Sequence, residues 1–177
     1  MAALPVPGPL RSVVVTVGTD VHPFDRLVRW ADLWALDHPD TEVLVQYGSS
    51  RPPRWATGRP ALPRQELLEA FAEADVVVAS CGPGAVMDAR SVGRRPVVVA
   101  RRQDLGEIVD GHQQRFAAHL EETGLALSVA DEAGLRDLLD VADRSRFLLP
   151  PHQVGRAADG SGRARVGALV DRLVWTT

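Results

Sequence analysis

Arg101 and Arg102 end an apolar run at residues 97–100, and after a short loop of Gly and acidic residues the pair His112 and Gln113 opens an amphipathic segment. Paired guanidinium groups can neutralise a diphosphate, while imidazole and carboxamide groups can hydrogen-bond sugar hydroxyls or phosphate. Helix capping and solvated surface charge are the competing roles for the same residues. A second segment reads Ser80, Cys81, Gly82, Pro83, Gly84, Ala85, with Asp88 about one helical turn further on. Glycines on both sides of a proline at a helix start let backbone amides face a pyrophosphate without side-chain obstruction. A carboxylate at Asp88 can accept from ribose hydroxyls, or it can simply complement the helix N-terminus. A third segment places Gly18 and Thr19 between a β-branched run and a helical pattern. There the backbone can approach an anion closely, or the turn can be an ordinary one. His22 in that loop is the internal candidate for a general base, against a plain loop residue. Cys81 has no nearby His to activate it as a nucleophile.

These residues need a scaffold that brings strand ends and helix starts together. Residues 12–17 read as a strand, followed from Pro23 by a helix with Phe24, Leu27, Val28, Ala31 and Trp34 on one face. Residues 41–46 read as a second strand, and residues 47–63 as a long connection rich in Gly, Pro and Arg. Arg51, Arg54, Arg59 and Arg64 in that stretch can meet lipid phosphates or a partner, or remain solvated. A helix follows at 63–74, a buried strand at 76–79, a helix at 85–92 and a strand at 96–100. Then come a helix at 112–123 closed by Gly124, a strand at 125–129, a helix at 131–141 with Asp131 as N-cap, and a final helix at about 162–175. Short uninterrupted apolar strands alternating with helices predict an α/β fold: a Rossmann-like parallel sheet with helices on both faces. In such sheets ligands sit beyond the carboxyl ends of the strands.

A chain of 177 residues fits one domain, large enough to bury roughly 70% of its unfolded surface. Residues 1–11 read as a flexible N-terminal segment and 12–177 as the domain. The net charge of −3 gives no reason to expect nucleic acid. No apolar run approaches the ~20 residues of a membrane span. The single cysteine excludes an internal disulfide and a cysteine-based zinc cluster, and fits a cytoplasmic setting. All 20 Lys and Arg positions are Arg, and Asn is absent, the pattern of a GC-rich genome. Without Lys there is neither a Walker A loop nor a Schiff base to pyridoxal phosphate.

Taken in order, the three segments resemble the C-terminal, UDP-sugar-binding domain of family 28 glycosyltransferases, the second half of the GT-B architecture. The likeness covers about residues 12–140 and rests on several motifs. These are Val15, Thr16, Val17, Gly18 and Thr19 with Pro23 to Leu27, the Gly82-Pro83-Gly84 helix start through Arg90, and Arg101-Arg102 with Leu105-Gly106-Glu107 leading into His112-Gln113. More narrowly the chain is similar to the small soluble subunit of split enzymes of the exopolysaccharide and dolichol-linked N-acetylglucosamine type. The resemblance implies that Gly18 and Thr19 and the loop of Gly82, Gly84 and Ala85 hold the diphosphate, Asp88 the ribose, and His112 and Gln113 the donor sugar, with Ser80 also in the donor site. It also departs from the family: Ser80 stands where His is common, Ala85 where a hydroxyl residue is common, Asp88 where Glu is frequent, and Gly111 in place of Asn or Asp.

The implied activity is inverting transfer from a UDP-sugar to a lipid-linked or polysaccharide acceptor. It implies a separate, membrane-associated acceptor-binding subunit, which would supply the general base and recruit this chain to the inner face of the membrane. No cofactor and no obligatory metal are expected, since no D-x-D sequence occurs. The alternative is a noncatalytic nucleotide-sugar-binding or scaffolding protein that stabilises a partner transferase, which the residues at Ser80 and Ala85 favour.

Overall fold

The computed structural model describes residues 9–140 together with Phe147. Six parallel strands form one sheet: β1 (Ser12–Thr16), β2 (Glu42–Gln46), β3 (Thr57–Arg59), β4 (Val76–Ser80), β5 (Val97–Val99) and β6 (Leu127–Ser128). Their spatial order is β3-β2-β1-β4-β5-β6, the Rossmann order, which reverses direction between β1 and β4. Register is fixed by valine against valine: Val13 lies beside Val43 on one side and Val76 on the other, and Val78 beside Val97.

Successive strand residues point to opposite faces, and both faces are covered. Val13, Val15, Val43, Val45, Val76, Val78, Val97 and Val99 pack beneath α1 (Asp25–Asp37) and α5 (Glu132–Asp140), with Leu27, Trp34 and Leu135 filling the layer. On the other face Val14, Val77 and Val98 meet α2 (Arg64–Glu73), α3 (Pro83–Ser91) and α4 (His112–Glu122) through Phe71, Ala89, Phe116 and Leu120. This double coverage explains the triple-valine runs: a strand buried on both sides has no polar face to display.

Three sequence expectations need correction. The 47–63 connection contains the edge strand β3, whose Thr-Gly-Arg sequence carries no strand periodicity. Tertiary contacts place it: the Asp32 carboxylate on α1 accepts the amides of Arg54 (2.9 Å), Trp55 (2.7 Å) and Ala56 (2.9 Å), and so leads the chain up alongside β2. Helix α3 begins at Pro83 rather than Ala85, because proline at the first helical position has its φ already set and needs no N–H partner. Leu10, in the segment expected to be flexible, is buried, and its carbonyl accepts the Thr41 hydroxyl at 2.8 Å. Asp131 does cap α5, accepting the Gly134 amide at 2.8 Å. The expected helix at 162–175 lies outside the described residues.

Candidate functional site

Because every strand is parallel, helices α1, α3 and α4 all begin at the carboxyl edge of the sheet, after β1, β4 and β5. Their positive ends therefore share one edge. The reversal of strand order between β1 and β4 brings the Gly18 and Ser80 segments into contact. Gly18 adopts φ +77°, and a Cβ built there would stand 3.1 Å from Ser80 Oγ. Both the left-handed backbone and the close approach call for glycine. The Thr16 hydroxyl accepts the Gly18 amide at 3.2 Å, and Thr16 itself donates to Gln46 on β2.

The second segment offers amides to a ligand. Gly82 is the N-cap of α3, without a side-chain cap, and Pro83 contributes no N–H. The first intrahelical-type bond is Val86 N–H to the Gly82 carbonyl at 3.2 Å, so the amides of Gly84 and Ala85 are the orphan donors of the first turn. A Cβ at Gly82 or Gly84 would meet nothing within 4 Å. Gly84 is exposed and neither glycine brings a side chain to this turn, so an anion can approach it without side-chain obstruction. Thr19 is exposed on the facing loop. Ser80 is buried, with its hydroxyl directed at Gly18 rather than at solvent. Cys81 is fully buried and burial pushes its thiol up to about 12, which removes it as a nucleophile.

Arg101 corrects an expectation. Its side chain is 1% exposed, and its guanidinium is spent on three backbone carbonyls: His22 at 2.7 Å, Glu107 at 3.0 Å and Val17 at 2.8 Å. It stacks over Phe24 at 4.7 Å. Burial pulls its pKa below the ordinary arginine value, while Asp20 and Glu107 oppose that shift. Arg101 therefore holds the β1 loop and the β5 loop together, and the three carbonyls rather than a diphosphate occupy its donors. Arg102 is exposed but pairs with Asp104, and its side chain borders a cleft of about 380 Å³ with Arg26, Gln114 and Ser128.

Gln113 is buried and uses its carbonyl oxygen on the Arg101 amide at 3.0 Å. That bond orients the carboxamide and leaves its NH2 group for other acceptors. His112 is partly exposed at the start of α4; the Asp110 carboxylate caps its amide at 3.0 Å and also holds Nδ1. His22 is built the same way, with Asp20 Oδ1 2.8 Å from its amide and 2.7 Å from Nδ1. In both, the carboxylate fixes Nδ1 as the donor nitrogen and leaves Nε2 for a ligand or proton. Burial acts to raise the Asp20 carboxyl, but the His22 amide and ring and the Arg101 charge hold it below its ordinary value. Asp88 is committed to a 2.6 Å ion pair with Arg64 of α2, with 15% of its side chain exposed. Ribose contact would have to share or displace that arginine.

One pair of residues escaped sequence reasoning as a unit. Arg26, in the first turn of α1, grips Glu107 through Nε at 2.9 Å and Nη2 at 2.8 Å, and also donates to the Ala100 carbonyl at 2.9 Å. Glu107 in turn accepts the Arg102 amide at 2.9 Å. Both motifs were visible, yet nothing in their 81-residue separation tells that they meet. The only signal in the sequence was an unassigned charge of each sign, Glu107 in the loop after β5 and Arg26 beside Asp25 at the start of α1.

A model of the glycosyltransferase family 28 C-terminal domain matches residues 12–149, the whole β/α unit just described. The chain belongs to glycosyltransferase family 28. No curated protein matches the sequence significantly. Among solved structures, the family 28 domain is similar in fold to the kitacinnamycin glycotransferase (TM-score 0.61, 17% identity, 96% of this chain and 44% of that one). It is similar also to ALG13 (TM-score 0.56, 16% identity, 86% and 94%) and to MurG of Acinetobacter baumannii (TM-score 0.56, 17% identity, 95% and 51%). The chain spans under half the length of the kitacinnamycin enzyme. Among the described residues of this family 28 domain, no helix is long and apolar enough to cross a membrane, and no group of three His, Cys, Asp or Glu side chains could hold a metal. A larger cleft of about 440 Å³ lies between Arg11, Glu42 and Glu73 at the amino end of the sheet, away from every motif of the family 28 site.

Proposed function

We propose that this chain is the donor-binding subunit of an inverting glycosyltransferase: it binds a UDP-sugar and transfers the sugar to a lipid-linked or polysaccharide acceptor held by a separate, membrane-associated subunit. The observation that carries this reading is the uncapped first turn of α3, where the Gly84 and Ala85 amides have no intrahelical partner and a Cβ at Gly82 or Gly84 would meet nothing within 4 Å, at the reversal of strand order. A diphosphate seated there would receive backbone amides and the dipole of α3, which stabilise the departing UDP as the bond from the sugar anomeric carbon breaks. His112 and the Gln113 carboxamide border the same edge, one strand further along, where the sugar would extend. Thr19 and the exposed Arg102 complete the polar lining. The reaction read this way requires no resident cofactor or metal.

The partner would bring the acceptor and the general base. Val21 and Val109 support a docking role for the ligand loops, since these apolar side chains are 80% and 70% exposed on either side of the site. A cytoplasmic location at the inner membrane face fits a cytosolic pool of donor. Calorimetry of UDP and UDP-sugars against the isolated chain tests the donor site; absence of binding would sink it.

A noncatalytic scaffold is the second reading, favoured by Ala85, which offers no hydroxyl in the first turn of α3. Transferase activity of the reconstituted pair with the wild-type chain excludes that reading. Ala85→Thr should then raise affinity for UDP by adding a hydroxyl donor to phosphate, on the order of tenfold.

A further inference from the structure

We propose that the 49–60 connection is a preformed contact surface for an anionic phospholipid bilayer. Between Glu42 and Glu66 there is no acidic residue, while Arg51, Arg54, Arg59 and Arg64 all fall in this interval of a chain whose net charge is −3. Arg64 is taken by Asp88. The other three side chains are exposed, Arg51 to 90% with a long 3.6 Å contact to Asp25. Beside them Trp55 is 59% exposed, whereas Trp30 and Trp34 are buried in the core.

The backbone that carries these residues is held in place. Asp32 takes the amides of Arg54, Trp55 and Ala56, Asp25 takes the Arg51 amide at 2.8 Å, and the Ser50 hydroxyl accepts the Phe24 amide at 2.7 Å. Tyr47 and Gly48 donate to the carbonyls of Arg59 and Pro60 at 2.9 and 3.0 Å, which closes both ends of the connection at the carboxyl edge of the sheet. The surface thus begins beside the ligand loops. A long loop with so many specific backbone ties is displayed rather than merely tolerated.

A bilayer fits this chemistry better than a protein or nucleic acid. An indole sits favourably at headgroup depth while guanidinium groups meet lipid phosphates. One exposed tryptophan among three exposed arginines of the same connection lacks the apolar centre of a protein interface. It also lacks the succession of aromatics that stacks single-stranded bases. The inference stands apart from donor binding, so a failure of either leaves the other intact.

Sedimentation of the full chain with phosphatidylcholine vesicles, with and without phosphatidylglycerol, tests it in the absence of nucleotide. Partition is expected onto the phosphatidylglycerol vesicles and should fall as salt is raised. The triple variant R51S/R54S/R59S should lose about two orders of magnitude in partition, near fivefold for each arginine. Brominated lipid should quench tryptophan emission in the wild type and quench it far less in Trp55→Phe. All four side chains are exposed, so unchanged thermal midpoints will show that the variants are folded. Equal partition onto both vesicles, full binding by the triple variant, or retention on RNA or an acidic polypeptide without vesicle binding would each overturn the proposal.

Discussion

Arg101 Nη1 donates to the His22 carbonyl at 2.7 Å across 79 residues of chain, and this bond fixes the loop after β1 to the end of β5. The same residue offers its amide to Gln113, so one buried arginine sets the mutual position of two of the three ligand segments. Replacing it with alanine strands three carbonyls and leaves a void beneath Phe24. The expected loss is about 3 kcal/mol or more, from charge-assisted bonds worth ~1.5–3 kcal/mol each with partial solvent compensation. Urea unfolding will measure it, and Arg101→Lys should recover little, since an ammonium cannot span the fork.

The Arg26–Glu107 pair is largely buried, with side-chain exposures of 16% and 8%. Removing one partner should destabilise by ~3–5 kcal/mol, because it leaves an uncompensated charge. Arg26→Met together with Glu107→Leu should cost clearly less than the sum of the single changes. A double-mutant cycle on unfolding free energies decides it, and additive costs would contradict a direct pair.

Gly84 allows folding and ligand effects to be separated. Glutamate there has open space for its Cβ and complements the α3 dipole, so stability should hold or rise by ~0.3–1 kcal/mol. Its charge would oppose a diphosphate at the same amides. UDP affinity should fall at least about tenfold, or 1.4 kcal/mol, by calorimetry. Unchanged affinity would place the nucleotide elsewhere.

Asp32→Ala removes the acceptor of three consecutive amides. The cost should be about 2–4 kcal/mol from the lost bonds and stranded N–H groups. Hydrogen exchange should accelerate at residues 54–59 while the triple-valine strands stay protected.

The Asp20 and Asp110 carboxyls lie below the ordinary value of 3.8: at Asp20 the His22 and Arg101 interactions overcome the raising effect of burial, and at Asp110 the His112 amide leads. A carboxyl lowered by folding stabilises fully above its unfolded pKa and loses that contribution as pH falls through its folded pKa. The two loops should therefore keep this support through neutral and mildly acidic pH and lose it below about pH 4. Asp20→Asn and Asp110→Asn should each flatten the acid limb of the stability curve, measured by thermal unfolding across pH.

Much of the scaffold was legible locally. The triple-valine runs declared doubly covered strands, and Gly124 marked the end of α4, because burial periodicity and backbone restriction act within a few residues. The edge strand β3 was not legible, since its Thr-Gly-Arg sequence has no intrinsic preference and a carboxylate on a distant helix positions it. Gly18 and Gly82 stood out as loop glycines between a strand and a helix from their types and order. That Gly18 must also make room for Ser80 follows only from the pairing of β1 with β4.

The sequence by itself determined the α/β class, the order of the three ligand segments and the family to which they belong, for these depend on local pattern and motif spacing. Tertiary structure decided which polar groups remain for a ligand. Folding consumed Arg101 on carbonyls, Asp88 on Arg64 and Glu107 on Arg26, while it left the Gly84 and Ala85 amides in an uncapped first turn of α3. Hydrogen-bonding capacity is a property of each residue, but its availability depends on which partners the packed chain brings within about 3 Å.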